Sequence, residues 1–204
     1  MQQARQSEPV AVRNRGPRIA VYAGVFDPPT LAHLEIVEMA LGLFDRLVVV
    51  VGVNPTKTQT MFSAEERVRL LRESLTPAQR PFVEVVAHAG LTAPFAQQLG
   101  ACALVRGMRP VTDPDYEIAL SLMNAKLAPS IPTVLLVARA DHVYLSSTFV
   151  RDTARLGGII VPGSVPPPVE EALRRFFPEN RSNDGSGLTG AEDASVSPVP
   201  SAGQ

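Results

Sequence analysis

Leu47-Val-Val-Val-Val-Gly-Val53 is the stretch that most narrows the folds open to this chain. Successive side chains of a strand point to opposite faces, so a strand with one wet face alternates apolar and polar residues. A run that stays apolar throughout has no face to give to water. It belongs in a sheet covered on both sides, which in practice means parallel strands with helices packed on each face.

The rest of the chain agrees. Short apolar runs at residues 19–22, 82–86, 103–105 and 133–137 read as further strands, and helical patterns separate them. A helix starts near Thr30, with Leu31, Leu34, Val37 and Leu41 expected on its buried face. Ser63-Ala-Glu-Glu66 is a capping box opening a second helix, with Val68, Leu71 and Leu75 inward. A short helix is capped by Thr92, carries Pro94 in its first turn and stops at Gly100. Others run from Asp113-Pro114 to Leu127, from Ser146 to Leu156 before Gly157-Gly158, and over residues 169–177. Strands alternating with helices give right-handed βαβ units. The expectation is an α/β doubly wound five-stranded parallel sheet with extra C-terminal helices. Residues 1–17 read as a flexible leading segment, 18–178 as one domain, and 179–204 as a disordered tail, too polar to offset its ordering entropy.

Composition removes several function classes. A net charge of −1 leaves no basic footprint for nucleic acid or an anionic membrane. The single cysteine excludes an intrachain disulfide framework, and Cys102, between alanines, reads as a small buried hydrophobe. No apolar run reaches the length of a membrane span and the start lacks a signal-peptide pattern, so the chain reads as cytoplasmic.

In doubly wound sheets, ligands bind outside the carboxyl ends of the strands. Function is therefore expected in the loops at residues 24–30, 54–62, 106–113 and 138–147. The first carries Asp27 and Thr30, with His33 on the helix that follows; the second carries Lys57; the third Arg106 and Arg109; the last Ser146, Ser147 and Thr148, flanked by Arg139 and Arg151. Neither a Walker A nor a Gly-x-Gly-x-x-Gly pattern is present. Instead, several helix starts meet one rim, each offering unpaired N–H groups to an anion. The chain has only two lysines, Lys57 and Lys126, so placing one in a rim loop suggests a need for a compact point charge. The histidines show no ligand spacing for a metal, and no Gly-x-Ser-x-Gly elbow offers a nucleophile. A rim built to hold several phosphates is the reading these residues support.

Tyr22-Ala-Gly-Val-Phe-Asp-Pro-Pro-Thr-Leu-Ala-His33 resembles the Tyr-Pro-Gly-Ser/Thr-Phe-Asp-Pro-x-Thr-x-Gly-His loop of nucleotidyltransferases. Further blocks in order are similar to the bacterial phosphopantetheine adenylyltransferase family. They are Asn54-Pro-Thr-Lys57, Met61-Phe-Ser-Ala-Glu-Glu-Arg67, Val105-Arg-Gly-Met-Arg-Pro-Val111, Asp115-Tyr-Glu117, Met123-Asn-Ala-Lys-Leu-Ala-Pro129 and Leu145-Ser-Ser-Thr-Phe-Val-Arg151. The resemblance spans residues 18–177 and implies a Rossmann-like nucleotidyltransferase fold. It implies transfer of an adenylyl group from ATP to 4′-phosphopantetheine, giving dephospho-coenzyme A and pyrophosphate in coenzyme A biosynthesis. The acceptor's own phosphate is the nucleophile, so catalysis rests on positioning and charge stabilisation. By family position His33 stabilises the α-phosphate, while Lys57 and Arg106 bind the acceptor phosphate. Val25, Phe26, Arg109, Glu117 and the backbone of Gly107 and Met108 hold ATP, and His142, Ser146, Ser147 and Thr148 lie against adenine and phosphates. Val25 and Thr92 also face the acceptor. Mg²⁺ would ride on the ATP phosphates with no protein cage of its own, and a hexamer is implied.

Four residues depart from the family pattern. Val25 stands for Ser or Thr, Ala32 for the Gly before the histidine, Thr92 for an apolar residue, and His142 for a frequent Trp. They bear on rate and acceptor identity more than on fold. Two other readings stay open: a nicotinate or nicotinamide mononucleotide adenylyltransferase, and a diverged nucleotide-binding paralogue with weak or no activity.

Overall fold

The computed structural model describes residues 16–53, 60–108 and 114–177. The valine run becomes β2 (Arg46–Gly52), buried at five consecutive positions. Its odd residues, Leu47, Val49 and Val51, pack with Ile36, Val37, Val68 and Leu71 on one face, and Val48 and Val50 pack with Ala93, Ala96 and Ala128 on the other. One strand thus feeds two cores, as its unbroken apolar pattern requires.

Around it lie β1 (Ile19–Gly24), α1 (Leu31–Leu41), α2 (Ala64–Ser74), β3 (Val83–His88), α3 (Thr92–Gln98), β4 (Ala103–Met108), α4 (Pro114–Leu127) and β5 (Thr133–Val137). A 3₁₀ turn (Ala140–His142), α5 (Ser147–Gly157) and α6 (Pro167–Phe176) complete the described chain. The five strands run in the order β3-β2-β1-β4-β5 and every pairing is parallel. The chain reverses direction across the sheet between β1 and β4, which makes that point the expected crevice. The last two helices build a third cluster, where Phe62 and Leu70 meet Val150, Val169 and Leu173. These are the expected extra C-terminal helices. The expectations for residues 1–15 and 178–204 lie outside the described residues.

Three expectations are corrected. The buried face of α1 is Ala32, Glu35, Ile36, Val37 and Ala40, while Leu31, Leu34 and Leu41 are half-buried. α1 carries apolar residues on several sides, so apolar spacing alone does not mark the face it buries. Thr92 does not cap α3: Leu91 holds the cap position, without a side-chain bond, and Thr92 is the first helical residue. Cys102 is exposed, because it sits in the turn entering β4, where its N–H donates to the Ile19 carbonyl at 2.8 Å.

Candidate active site

A cleft of about 260 Å³ opens at the carboxyl ends of β1 and β4, on the predicted crevice. Its walls are residues 24–26, His33, residues 106–108, Glu117, Ala138 and residues 145–148. A larger hollow of about 710 Å³ opens at the opposite end of β2 and β3, walled by Arg46, Phe82 and Val83. It gathers none of the rim residues, so the smaller cleft is the candidate site.

The loop from β1 to α1 is fixed from three directions. Phe26 sits in the left-handed region at φ +53°, an uncommon state for a bulky residue that the surroundings must impose. Its buried ring meets Tyr22 and His33 edge-on, with centroids 5.2 and 5.0 Å apart. That ring folds back over Gly24, where a Cβ would lie 2.9 Å from Phe26 Cζ, so only glycine fits. Asp27 is buried, and its carboxylate accepts from the Met61 and Phe62 N–H groups at 2.8 and 2.9 Å. The buried Arg67 donates to the carbonyls of Val25 (2.7 Å), Gly52 (3.2 Å), Phe62 (3.2 Å) and Ser63 (3.3 Å). Burial pushes the Arg67 guanidinium below its ordinary range, against the opposing charges of Asp27 and Glu65. From α5, Arg151 donates to the Asp27 carbonyl and to Thr148 Oγ1, and Ser147 donates to the Pro28 carbonyl at 2.8 Å.

His33 is oriented by its own helix start. The Thr30 N–H donates to His33 Nδ1 at 3.0 Å, so Nδ1 is an acceptor and the neutral ring carries its proton on Nε2. The imidazole therefore lines the cleft in the tautomer that can donate to an anion. Val25, at 56% exposure, leaves the neighbouring wall without a hydroxyl.

Arg106, on β4, forms a two-pronged pair with Glu117 of α4 at 2.7 and 2.8 Å and donates to the Ala23 carbonyl at 2.5 Å. Burial works against its charge, but the Glu117 hydrogen bond and attraction, helped by Tyr22 and Tyr116, hold the guanidinium above its ordinary value. Three of its five N–H donors are committed, so two remain for a ligand. Glu117 thus holds Arg106 in place. Next to the cleft, sharing Ala23 and Arg106 with it, is a cavity of about 50 Å³ lined by Thr92, Leu120 and Asn124. Thr92 faces this annex and not the main cleft.

The fourth wall is the start of α5. Ser146 caps the helix by accepting from the Phe149 N–H at 3.0 Å, and Ser146, Ser147 and Thr148 all line the cleft. His142 does not: its Nδ1 lies 2.8 Å from Glu35 Oε2, on the α1 side. Gly107 and Met108 are on the cleft wall, whereas Lys57 and Arg109 lie outside the described residues. Sequence reasoning gave no role to Arg67 or Glu35. Each is a charged residue on the apolar face of a helix, and that misplaced charge was the available signal.

Among the described residues, no cluster of three His, Cys, Asp or Glu side chains could hold a metal ion. Residues 21–153 match the family model described as cytidylyltransferase-like. A protein named phosphopantetheine adenylyltransferase from Desulforudis audaxviator is 45% identical over 160 residues, 78% of this chain and 96% of that one. Its namesake from Moorella thermoacetica is also 45% identical over 160 residues, covering 78% and 98%. Among solved structures, a bifunctional NMN adenylyltransferase/ADP ribose pyrophosphatase from Francisella tularensis superposes with a TM-score of 0.60 at 17% identity, over 80% of this chain and 50% of that one. A putative nicotinate-nucleotide adenylyltransferase from Vibrio parahaemolyticus gives 0.56 at 17% identity, over 81% and 96%. At such identities the likeness is one of fold.

Proposed function

The chain belongs to the cytidylyltransferase-like nucleotidyltransferases and, among them, to the phosphopantetheine adenylyltransferases, and from that premise we propose how its cleft performs the reaction. The enzyme transfers the adenylyl group of ATP to 4′-phosphopantetheine in coenzyme A biosynthesis. An oxygen of the acceptor's phosphate forms a bond to the α-phosphorus, the bond from that phosphorus to the bridging α–β oxygen breaks, and the electron pair leaves with pyrophosphate. The acceptor brings its own nucleophile, so the protein supplies placement and positive potential.

One observation carries this reading: the cleft is rich in donors, while the buried carboxylates around it are already committed. Asp27 is held by the Met61 and Phe62 N–H groups, Glu35 by Arg139 and His142, and Glu117 by Arg106. In our reading His33 donates from Nε2 to the α-phosphate as charge builds there, and the capped start of α5 receives the other ATP phosphates through its N–H groups. The two uncommitted donors of Arg106 meet the acceptor phosphate, and the annex at Thr92 takes part of its arm. Val25 and Phe26 contribute backbone, Glu117 orients Arg106, and Gly107 and Met108 border the nucleotide. Lys57 and Arg109 keep the roles that the family resemblance implies, on the acceptor phosphate and on ATP. Mg²⁺ would arrive bound to ATP and neutralise its phosphates, since the nearby Asp27 carboxylate is spent on the backbone.

Two further parts of the proposal concern the enzyme as a whole. α4 exposes Tyr116, Ile118, Leu122, Met123 and Leu127, an apolar surface that suits contact between copies in a homo-oligomer, a hexamer by family resemblance. No helix of the described residues is long and apolar enough to cross a membrane; a cytoplasmic setting follows the family's biosynthetic role. The test incubates the protein with ATP, Mg²⁺ and 4′-phosphopantetheine. Pyrophosphate and dephospho-coenzyme A are expected in equal amounts, and no release at micromolar enzyme would sink the proposal. Mononucleotide acceptors are expected to be poor substitutes.

A further inference from the structure

We infer that Glu35 is a positioning residue for nucleotide binding: from α1 it anchors the connection between β5 and α5, which forms the ATP side of the cleft. This rests on the reading that the cleft at the start of α5 takes ATP. The Glu35 side chain is only 3% exposed, and a carboxylate taken out of water persists as a charge only if it is paired and hydrogen-bonded. Among the described residues its partners all come from one segment more than a hundred residues away. The Arg139 N–H donates to Oε1 at 2.9 Å, Arg139 Nε lies 3.3 Å from the same oxygen, and His142 Nδ1 lies 2.8 Å from Oε2.

That segment is the cleft wall in transit. It leaves the wall at Ala138, whose N–H donates to the Met108 carbonyl at 3.2 Å, and rejoins it at Leu145. Between these points the 3₁₀ turn hangs on Glu35. The His142 carbonyl accepts from the Leu145 N–H at 3.0 Å, so a shift of the imidazole is passed within one turn to Leu145 and on to the cap, Ser146. Glu35 also sits two residues beyond His33 on the same helix. One rigid element therefore sets both the catalytic imidazole and the wall opposite it. His142 therefore serves the nucleotide by holding the turn beside the cleft, with its ring on Glu35 and off the cleft wall.

The experiment compares Glu35→Leu, His142→Ala and the double variant in the full chain. It measures equilibrium binding of a non-hydrolysable ATP analogue together with KM for each substrate and kcat. Each single variant is expected to weaken nucleotide binding and raise the ATP KM about tenfold, a typical coupling between linked groups. The KM for phosphopantetheine should stay within twofold. The double variant should be no worse than the more impaired single one, because both substitutions cut the same tether. Independent, multiplying effects, an equal rise in both KM values, or unchanged nucleotide affinity would each overturn the inference. If Glu35→Leu does not fold, His142→Ala and His142→Asn decide the matter. The asparagine amide can donate from the Nδ1 position and should restore most of the affinity lost in alanine, and equal losses would overturn the tether. A wild-type protein that binds the analogue but releases no pyrophosphate fails the proposed reaction alone, while one that binds no nucleotide overturns both.

Discussion

Replacing Arg67 by lysine keeps the charge and removes the fork, which makes it a sensitive probe of how the loop between β1 and α1 is held. The guanidinium now donates to four carbonyls on three separate stretches: Val25 after β1, Gly52 at the end of β2, and Phe62 and Ser63 before α2. An ammonium on a single stem cannot reach all of them, because its donors radiate from one point. At about 1.5 kcal/mol for each lost bond to a charged donor, losing two costs about 3 kcal/mol. For a folded body of this size, at about 2–4 °C per kcal/mol, the midpoint of thermal unfolding should fall by about 6–12 °C. Arg67→Met should cost more than the lysine, because it leaves all four carbonyls without their donor and Asp27 without the nearby positive charge. Turnover should fall in both, since the Val25 carbonyl is released beside the strained Phe26. Calorimetry and steady-state kinetics on the purified variants provide the check. A lysine variant that melts within 2 °C of the wild type and turns over normally would refute the argument that the fork fixes this loop.

His33→Ala should lower kcat about 10²–10³-fold while ATP binding, measured by titration, is largely kept, because the imidazole is assigned to the transition state. Gly24→Ala places a methyl 2.9 Å from Phe26 Cζ, and the ring must leave its pocket; the expected cost is about 1–3 kcal/mol in urea unfolding, with reduced turnover. Asp45 accepts from the Arg18 N–H, and this bond, ahead of the Arg18 charge, lowers its carboxyl below the usual value. A folded-state value below the unfolded one stabilises above the unfolded value and is lost as the pH falls through the folded one. The stability gap between the wild type and Asp45→Asn should therefore close on acidification into that range, as acid titrations of both proteins would reveal.

The architecture was legible because it rests on patterns that local sequence states directly. The valine run demanded two covering layers and has them. Ser63-Ala-Glu-Glu66 announced α2, and both halves of its capping box form, at 3.1 and 2.8 Å. The rim was legible for the same reason, since strand ends and helix starts fix its place. Charge on buried helix faces is what local pattern does not show. Pattern reading sends Glu35 and Arg67 to solvent, and the partners that hold them inside are carbonyls, an N–H and an imidazole brought in from distant segments. Family position sets His142 against the nucleotide, but the carboxylate that turns its ring toward α1 lies 107 residues earlier. Thr92 suits a helix cap by residue type, with Pro94 in the turn that follows; here Leu91 takes that position and the threonine lines the annex.

The central claim is that the acceptor's phosphate attacks the α-phosphorus directly, with the protein placing the two and adding no nucleophile of its own. The stereochemistry at that phosphorus tests it most directly. The enzyme, given one diastereomer of ATP with sulfur at the α-phosphorus together with Mg²⁺ and 4′-phosphopantetheine, should form the thio-analogue of dephospho-coenzyme A with inverted configuration. Retention would require two successive displacements through a protein-bound adenylyl group and would contradict the account, as would failure to form the product at all.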